Sequence, residues 1–187
     1  MQCPKQTRRS LLAIEASLAA GRSAAAREDQ SGSDERPQKG DLLVLSEGDH
    51  EGEVIKPRDR TLGGPPVHAS SVNRKGSRLN EIIVIKLDSR RDGMDETRSC
   101  SADGIIAHSV ICPHAGCPVS EWVKAEEGNK NVLKCPCHNS EFNPRESAQV
   151  VFGPVLRRLA ALPLTVADGS LIVAATFVGK VGAPQPG

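Results

Sequence analysis

Two short segments hold most of the residues that could do chemistry: Cys-Pro-His-Ala-Gly-Cys at 112–117 and Cys-Pro-Cys-His-Asn-Ser at 135–140. Each supplies a cysteine–histidine pair, Cys112 with His114 and Cys135 with His138, and 20 residues separate His114 from Cys135. A Val/Ile- or Val/Leu-containing run leads into each segment, so both read as turns at strand ends. Set side by side, such turns bring two thiolates and two imidazoles to one place. Three chemistries compete for that set. Zinc takes four sulfur and nitrogen ligands, but usually as C-x₂₋₄-C and H-x₃₋₅-H pairs rather than as mixed C-x-H and C-x-x-H. A disulfide scaffold is open to the six cysteines of the chain, yet it leaves His114 and His138 without a purpose. A [2Fe–2S] centre, with two Cys on one iron and two His on the other, uses all four residues. Cys117 and Cys137, if joined, would then tie the two segments together across the cluster.

The elements that must position these segments are short and β-like. Runs at Leu42–Leu45, Glu53–Lys56, Glu81–Leu87, Gly104–Cys112, Val132–Cys135, Ala161–Val166 and Leu171–Val178 are rich in Val, Ile or Leu and bounded by Gly, Pro, Asp or Asn. Beyond the N-terminal segment no stretch sustains a 3.6-residue apolar period, so helices should be few. Many short strands between turns predict an all-β sandwich or barrel. With three Phe, one Trp and no Tyr, the core must rest on aliphatic side chains. A net charge of +1 gives no electrostatic pull toward nucleic acid. No stretch approaches the ~20 apolar residues that span a bilayer.

The N-terminus has its own logic. Lys5, Arg8 and Arg9 precede Leu11-Leu12-Ala13-Ile14, and Ala24-Ala25-Ala26 offers small residues for cleavage. Thr7-Arg8-Arg9-Ser10-Leu11-Leu12 resembles the twin-arginine export motif, a route that suits a cofactor inserted before export. Residues 1–26 are therefore expected to be an export signal. Residues 27–40, polar and charged, read as a linker that cannot bury enough apolar surface to order itself. The folded part is placed at 41–180 and a frayed tail at 181–187.

Taken together, C-x-H-x-G-C, C-P-C-H-x-S and Gly153-Pro154-Val155-Leu156-Arg157 resemble the Rieske iron–sulfur proteins. The nearer likeness is to the disulfide-containing branch of quinol–cytochrome c oxidoreductases and the arsenite oxidase small subunit. The resemblance implies a Rieske-type antiparallel β-sandwich with a small cluster-binding subdomain, about 106–158, formed by loops. It implies one [2Fe–2S] cluster per chain, with Cys112 and Cys135 on the inner iron and His114 and His138 on the outer one near the surface. It also implies a Cys117–Cys137 disulfide, a hydrogen bond from Ser140 to a cluster sulfur, and packing of Gly153 and Pro154 beside the cluster. Phe142 stands where high-potential respiratory members carry Tyr, which implies a lower potential here. Asn139 replaces the usual Gly, and Asn is the next best residue at positive φ. Ala115 replaces a bulkier apolar residue and leaves the cluster edge more open.

The implied role is one-electron transfer as the iron–sulfur subunit of an exported, periplasmic oxidoreductase, with no catalytic residues of its own. Expected partners are a c-type cytochrome, cytochrome b with quinol, or a molybdenum enzyme, any membrane association coming through a partner or the N-terminal segment. A ferredoxin or other Rieske component of an oxygenase is the alternative. A terminal oxygenase would need a further two-His, one-carboxylate iron site, for which the chain is too short. Of the other residues, Cys100 reads as a partly buried free thiol and Cys3 lies in the expected signal. His50 and His68 read as surface histidines and His108 as a packed residue near the cluster. Trp122 is expected to anchor the core beneath the first loop, and Lys124–Lys130 to form a solvated hairpin tip.

Overall fold

The computed structural model describes residues 36–74, 76–88, 95–128 and 130–183. The expected export signal, most of the linker and Cys3 lie outside the described residues. The architecture of the described residues is all-β, as expected: two four-stranded antiparallel sheets, a two-stranded hairpin, one short α-helix and four 3-10 turns.

The centre of the molecule follows from two runs that are apolar at nearly every position. Strand β3 (Ile82–Lys86) and strand β4 (Ile105–Ser109) pair antiparallel, with Ile83 opposite His108 and Ile85 opposite Ile106. Side chains alternate across a strand, so a continuous apolar run is stable only when both faces of its sheet are covered. Both are. Ile82, Val84, Ile105 and Ala107 face one core with Leu164, Leu171 and Val173; Ile83, Ile85 and Ile106 face the other with Leu133, Phe142 and Leu159. Strands β1 (Leu43–Leu45) and β2 (Val67–Ser71) complete the sheet in the order β1-β2-β3-β4.

The first face is covered by a hairpin of β9 (Leu164–Ala167) and β10 (Ser170–Val173). Its two-residue turn is Asp168-Gly169, with φ of 50° and 72°, the left-handed pair that a tight hairpin turn requires. The second face is covered by the sheet β5 (Glu121–Lys124), β6 (Asn131–Cys135), β7 (Ser140–Asn143) and β8 (Gln149–Phe152), a meander in chain order. Helix α1 (Asp95–Ser99) is fixed to the 144–147 turn: the Thr97 hydroxyl donates to the Arg145 carbonyl at 3.0 Å and accepts from the Ser147 amide at 2.8 Å.

Several expectations shift. The Glu53–Lys56 run joins β1 through a bridge at Val54 and amide bonds at Ile55 and Leu45, without becoming a strand. Among the described residues four strands, β2, β5, β7 and β8, arise where no strong apolar run is present. Cys100 takes part in a disulfide, correcting the expected free thiol. Val181 and Gly182 are packed rather than frayed: Val181 joins the core beside β4, and Gly182 lies against Ile111. No helix among the described residues is long and apolar enough to cross a membrane.

Candidate metal centre

Strand β4 ends at Ser109, and the chain runs on through Val110 and Ile111 to Cys112, all buried. The chain then folds back tightly. The Cys112 amide donates to the Cys117 carbonyl at 2.8 Å, the Gly116 amide to the Cys112 carbonyl at 2.9 Å, and the Val119 amide to the Val110 carbonyl at 2.7 Å. Gly116 supplies the positive φ, 76°, that this reversal needs. The second segment is the turn between β6 and β7, with Cys135 paired to Ser140. Asn139 sits at φ 56°, so the asparagine meets the backbone demand expected of it.

These two turns bring the expected residues together in two tiers. Cys112 and Cys135 are each 1% exposed in the inner tier. Above them His114 and His138 are exposed, their ring centroids 4.5 Å apart and edge to face at 89°. Cys117 and Cys137 form a disulfide that joins the turns. The sulfurs of Cys117, Cys135 and Cys137 lie within 4.8 Å of one another. Since two of those three are consumed by the disulfide, that closeness shows the bridge lying against Cys135 rather than a separate ligand group.

Burial pushes the Cys112 thiol up to about 11, and neighbouring Cys135 adds to the rise, while the His114 and Ala115 amides favour the thiolate. In such surroundings the Cys112 thiol is inert until a cation reverses the balance, because a coordinating thiol is deprotonated outright. Two further observations fit a bound inorganic group. The Ser140 hydroxyl is completely buried and has no hydrogen-bond partner among the described residues, so it lacks an acceptor that a cluster sulfur would supply. Gly153, at φ 95°, lies flat on the second turn: a Cβ there would stand 2.6 Å from the Ser140 Cα and 3.0 Å from the Asn139 carbonyl. Pro154 is exposed, and Val155 drops into the same core as Cys112 and Cys135.

Phe142, the ring in the tyrosine's place, is fully buried beneath the site. Trp122 does pack on that core, with Gly64 so close that a Cβ would meet its indole nitrogen at 2.8 Å. The hairpin tip after Lys124 is present, but sequence reasoning missed how it is held. Glu141, a charged residue with no exposure, accepts from the Glu126 amide at 3.0 Å and faces Lys134 across the strands at 3.3 Å. His108 is buried, but it pairs in the central sheet with Ile83 and bridges to Ala161. His50 is an exposed partner of Glu53 at 2.9 Å, and His68 lies 3.8 Å from Glu47.

Buried thiols under exposed imidazoles, on two turns tied by a disulfide, form a mixed cysteine and histidine donor set of the kind a metalloprotein uses. Comparison with known proteins narrows the class. The model of the Rieske [2Fe-2S] domain matches residues 70–163. The cytochrome bc1 complex Rieske iron-sulfur subunit of Corynebacterium diphtheriae is 31% identical over 135 residues, 72% of this chain and 30% of that protein. The corresponding subunit of Streptomyces lividans is 36% identical over 104 residues, 54% of this chain and 58% of that one. A Haloferax mediterranei protein, named provisionally as the Rieske subunit of a respiratory nitrate reductase, is 46% identical over 80 residues, 42% of this chain and 34% of that one. Among solved structures, the soluble domain of Rieske protein II from Sulfolobus acidocaldarius is 27% identical and covers 44% of this chain and 46% of that chain, with a TM-score of 0.35. The chain belongs to the Rieske [2Fe–2S] family. Its matched regions span roughly a third to just over half of those curated relatives.

Proposed function

We propose that Cys112 and Cys135 hold the inner iron of the cluster and His114 and His138 the outer iron, and that electrons enter and leave at the histidine side. The observation that carries this reading is the two-tier arrangement, thiols 1% exposed beneath two exposed imidazoles in ring contact. When bound, the cluster supplies a one-electron couple whose potential is set by hydrogen bonds, burial and charge. The chain's own residues do the rest. The burial of Cys112 and Cys135 excludes water from the thiolates, Ser140 offers a donor, and the disulfide keeps the turns in register. Flanking the Gly153-Pro154 turn in sequence, Leu156 is 98% exposed and Phe152 41%, an apolar contact face for a partner protein.

The partner classes that suit this reading are a c-type cytochrome as acceptor and, as donor, a quinol-oxidising cytochrome b or a molybdenum enzyme. With Phe142 unable to donate where a tyrosine would, the potential lies below that of quinol-oxidising respiratory members. We assign residues 1–26 as a twin-arginine export signal and the working compartment as the periplasm. Iron and acid-labile sulfide analysis of the purified full chain tests the centre: two irons and two sulfides per chain are expected. Zinc without sulfide sinks the reading in favour of a structural zinc module. Fractionation with the Arg8→Lys, Arg9→Lys double variant tests export, which should leave the protein in the cytoplasm.

A further inference from the structure

The first ligand turn is gripped from outside its own hairpin. An Nη2 hydrogen of Arg78 donates to the Gly116 carbonyl at 2.6 Å, across 38 residues of sequence. That carbonyl belongs to the peptide joining Gly116 to Cys117, between His114 and the disulfide. The platform carrying Arg78 is rigid. It is a 3-10 turn, Arg78–Asn80, capped by the Ser77 hydroxyl, which accepts from the Leu79 amide at 3.2 Å. Asn80 is wholly buried and rivets the turn to β2: its Oδ1 accepts from the Ser71 amide at 3.0 Å, and its Nδ2 donates to the Ser71 carbonyl at 3.1 Å and the Arg74 carbonyl at 2.7 Å. Leu79, between them, packs into the core shared by Cys112 and Cys135.

We infer that Arg78 is a positioning residue for electron transfer: it clamps the 112–117 turn and sets a fixed positive charge beside the cluster that favours its reduced form. The inference rests on the ligand assignment above. Two physical arguments support it. A charge-assisted bond to a backbone carbonyl is stronger and more directional than a neutral one. A cation held at the edge of a redox group stabilises the extra electron by direct Coulomb attraction, an effect that salt screens for an exposed side chain. Arginine suits both tasks because its charge is permanent and its planar fork is pre-organised.

The test compares Arg78→Gln and Arg78→Lys with the unaltered full-length holoprotein. Two quantities are read: the reduction potential, and the rate at which a small thiol reduces Cys117–Cys137. In R78Q the equilibrium constant for reduction should fall at least threefold, which is about 30 mV on a scale where tenfold is 59 mV for one electron. Freed from its clamp, the turn should open more often and the disulfide should exchange about fivefold faster. R78K keeps the charge without the fork, so the potential should return to within twofold of the unaltered protein while exchange stays fast. An unchanged potential or an unchanged exchange rate in R78Q overturns the inference, even if thermal stability drops. Should R78Q not accumulate, R78K decides: fast exchange at near-unaltered potential supports the clamp, and slow exchange overturns it. Absence of iron and sulfide from the unaltered protein would instead sink the ligand assignment, and the exchange rates would still judge the clamp.

Discussion

The two four-stranded sheets are held together by different means. The central sheet, β1–β4, is covered on both faces, and every residue of β4 is buried, so burial of aliphatic side chains carries it. The sheet β5–β8 has one buried face, strands of four or five residues, and exposed turns. Its shape depends on covalent and polar ties: the disulfide, the buried Glu141 and the contact from Arg78. A metal between the cysteines would add the last tie. Damage to the central sheet should therefore appear as lost stability, and damage to the other as lost cofactor and altered potential.

Cys135→Ser breaks the comparison most sharply. Loss of one buried sulfur donor should abolish iron and sulfide retention altogether, as measured by elemental analysis, while amide exchange in β3 and β4 stays slow. Retention of a full cluster would remove Cys135 from the ligand set. In the central sheet, Ile85→Ala should cost on the order of 3 kcal/mol by urea unfolding, because Ile85 is 1% exposed and its removal leaves a cavity. Once folded, that variant should hold its cluster at an unchanged potential.

His108 gives the central sheet a pH dependence of its own. Burial drives its ring down to about 4, and Arg158 adds a little in the same direction, while the Ala160 backbone opposes both. The folded state thus holds the ring neutral where the unfolded chain, near 6.5, takes up a proton. Stability from this residue is intact above pH 6.5 and is lost as pH falls toward 4, in total on the order of 3 kcal/mol. Urea midpoints at pH 7 and pH 4.5 should separate less in His108→Leu than in the unaltered protein. An equal separation would mean that other groups set the acid limit.

Ser140→Ala sharpens the comparison from the other side. Its hydroxyl has no partner among the described residues, so stability should change little, whereas the loss of one donor to the cluster should lower the potential by about 50 mV, the equivalent of roughly 1 kcal/mol for one electron. A fall in stability with no change in potential would assign the hydroxyl to the fold instead.

The same division explains what could be read from the sequence. The cluster turns were legible because cysteine, histidine and glycine are needed there for their chemistry, whatever the surroundings. Asn139 and Gly153 could be placed for the same reason. β3 and β4 were legible because an unbroken apolar run has few other uses. Strands β2 and β7, Val-His-Ala-Ser-Ser and Ser-Glu-Phe-Asn, are strands only because partners exist on either side. Nothing local in them outweighs a loop. The short apolar stretches in Glu-Trp-Val-Lys and Gln-Val-Val-Phe offered only a weak signal for β5 and β8. The burial of Glu141 and the reach of Arg78 to Gly116 arise from contacts between distant segments, and spacing does not encode those.

The smallest effect lies where the two halves meet. Arg158, just before the buried Leu159, donates to both carboxylate oxygens of Glu96 on α1, at 2.7 and 2.5 Å. The guanidinium holds the Glu96 carboxyl below its ordinary value, since the hydrogen bonds favour the charged form over the opposing burial. A depressed carboxylate stabilises the fold above its unfolded pKa, near 4.5, and that contribution is lost as pH falls through the folded value. Both side chains are partly exposed, 27% for Arg158 and 36% for Glu96, so water and salt screen the pair. Glu96→Gln should therefore cost no more than about 1 kcal/mol near neutral pH. The difference from the unaltered protein should shrink in high salt and vanish in acid, as read from urea midpoints. A loss of several kcal/mol, or a shifted potential, would mean that this pair couples the central sheet to the cluster turns, and the two regions would no longer be separable.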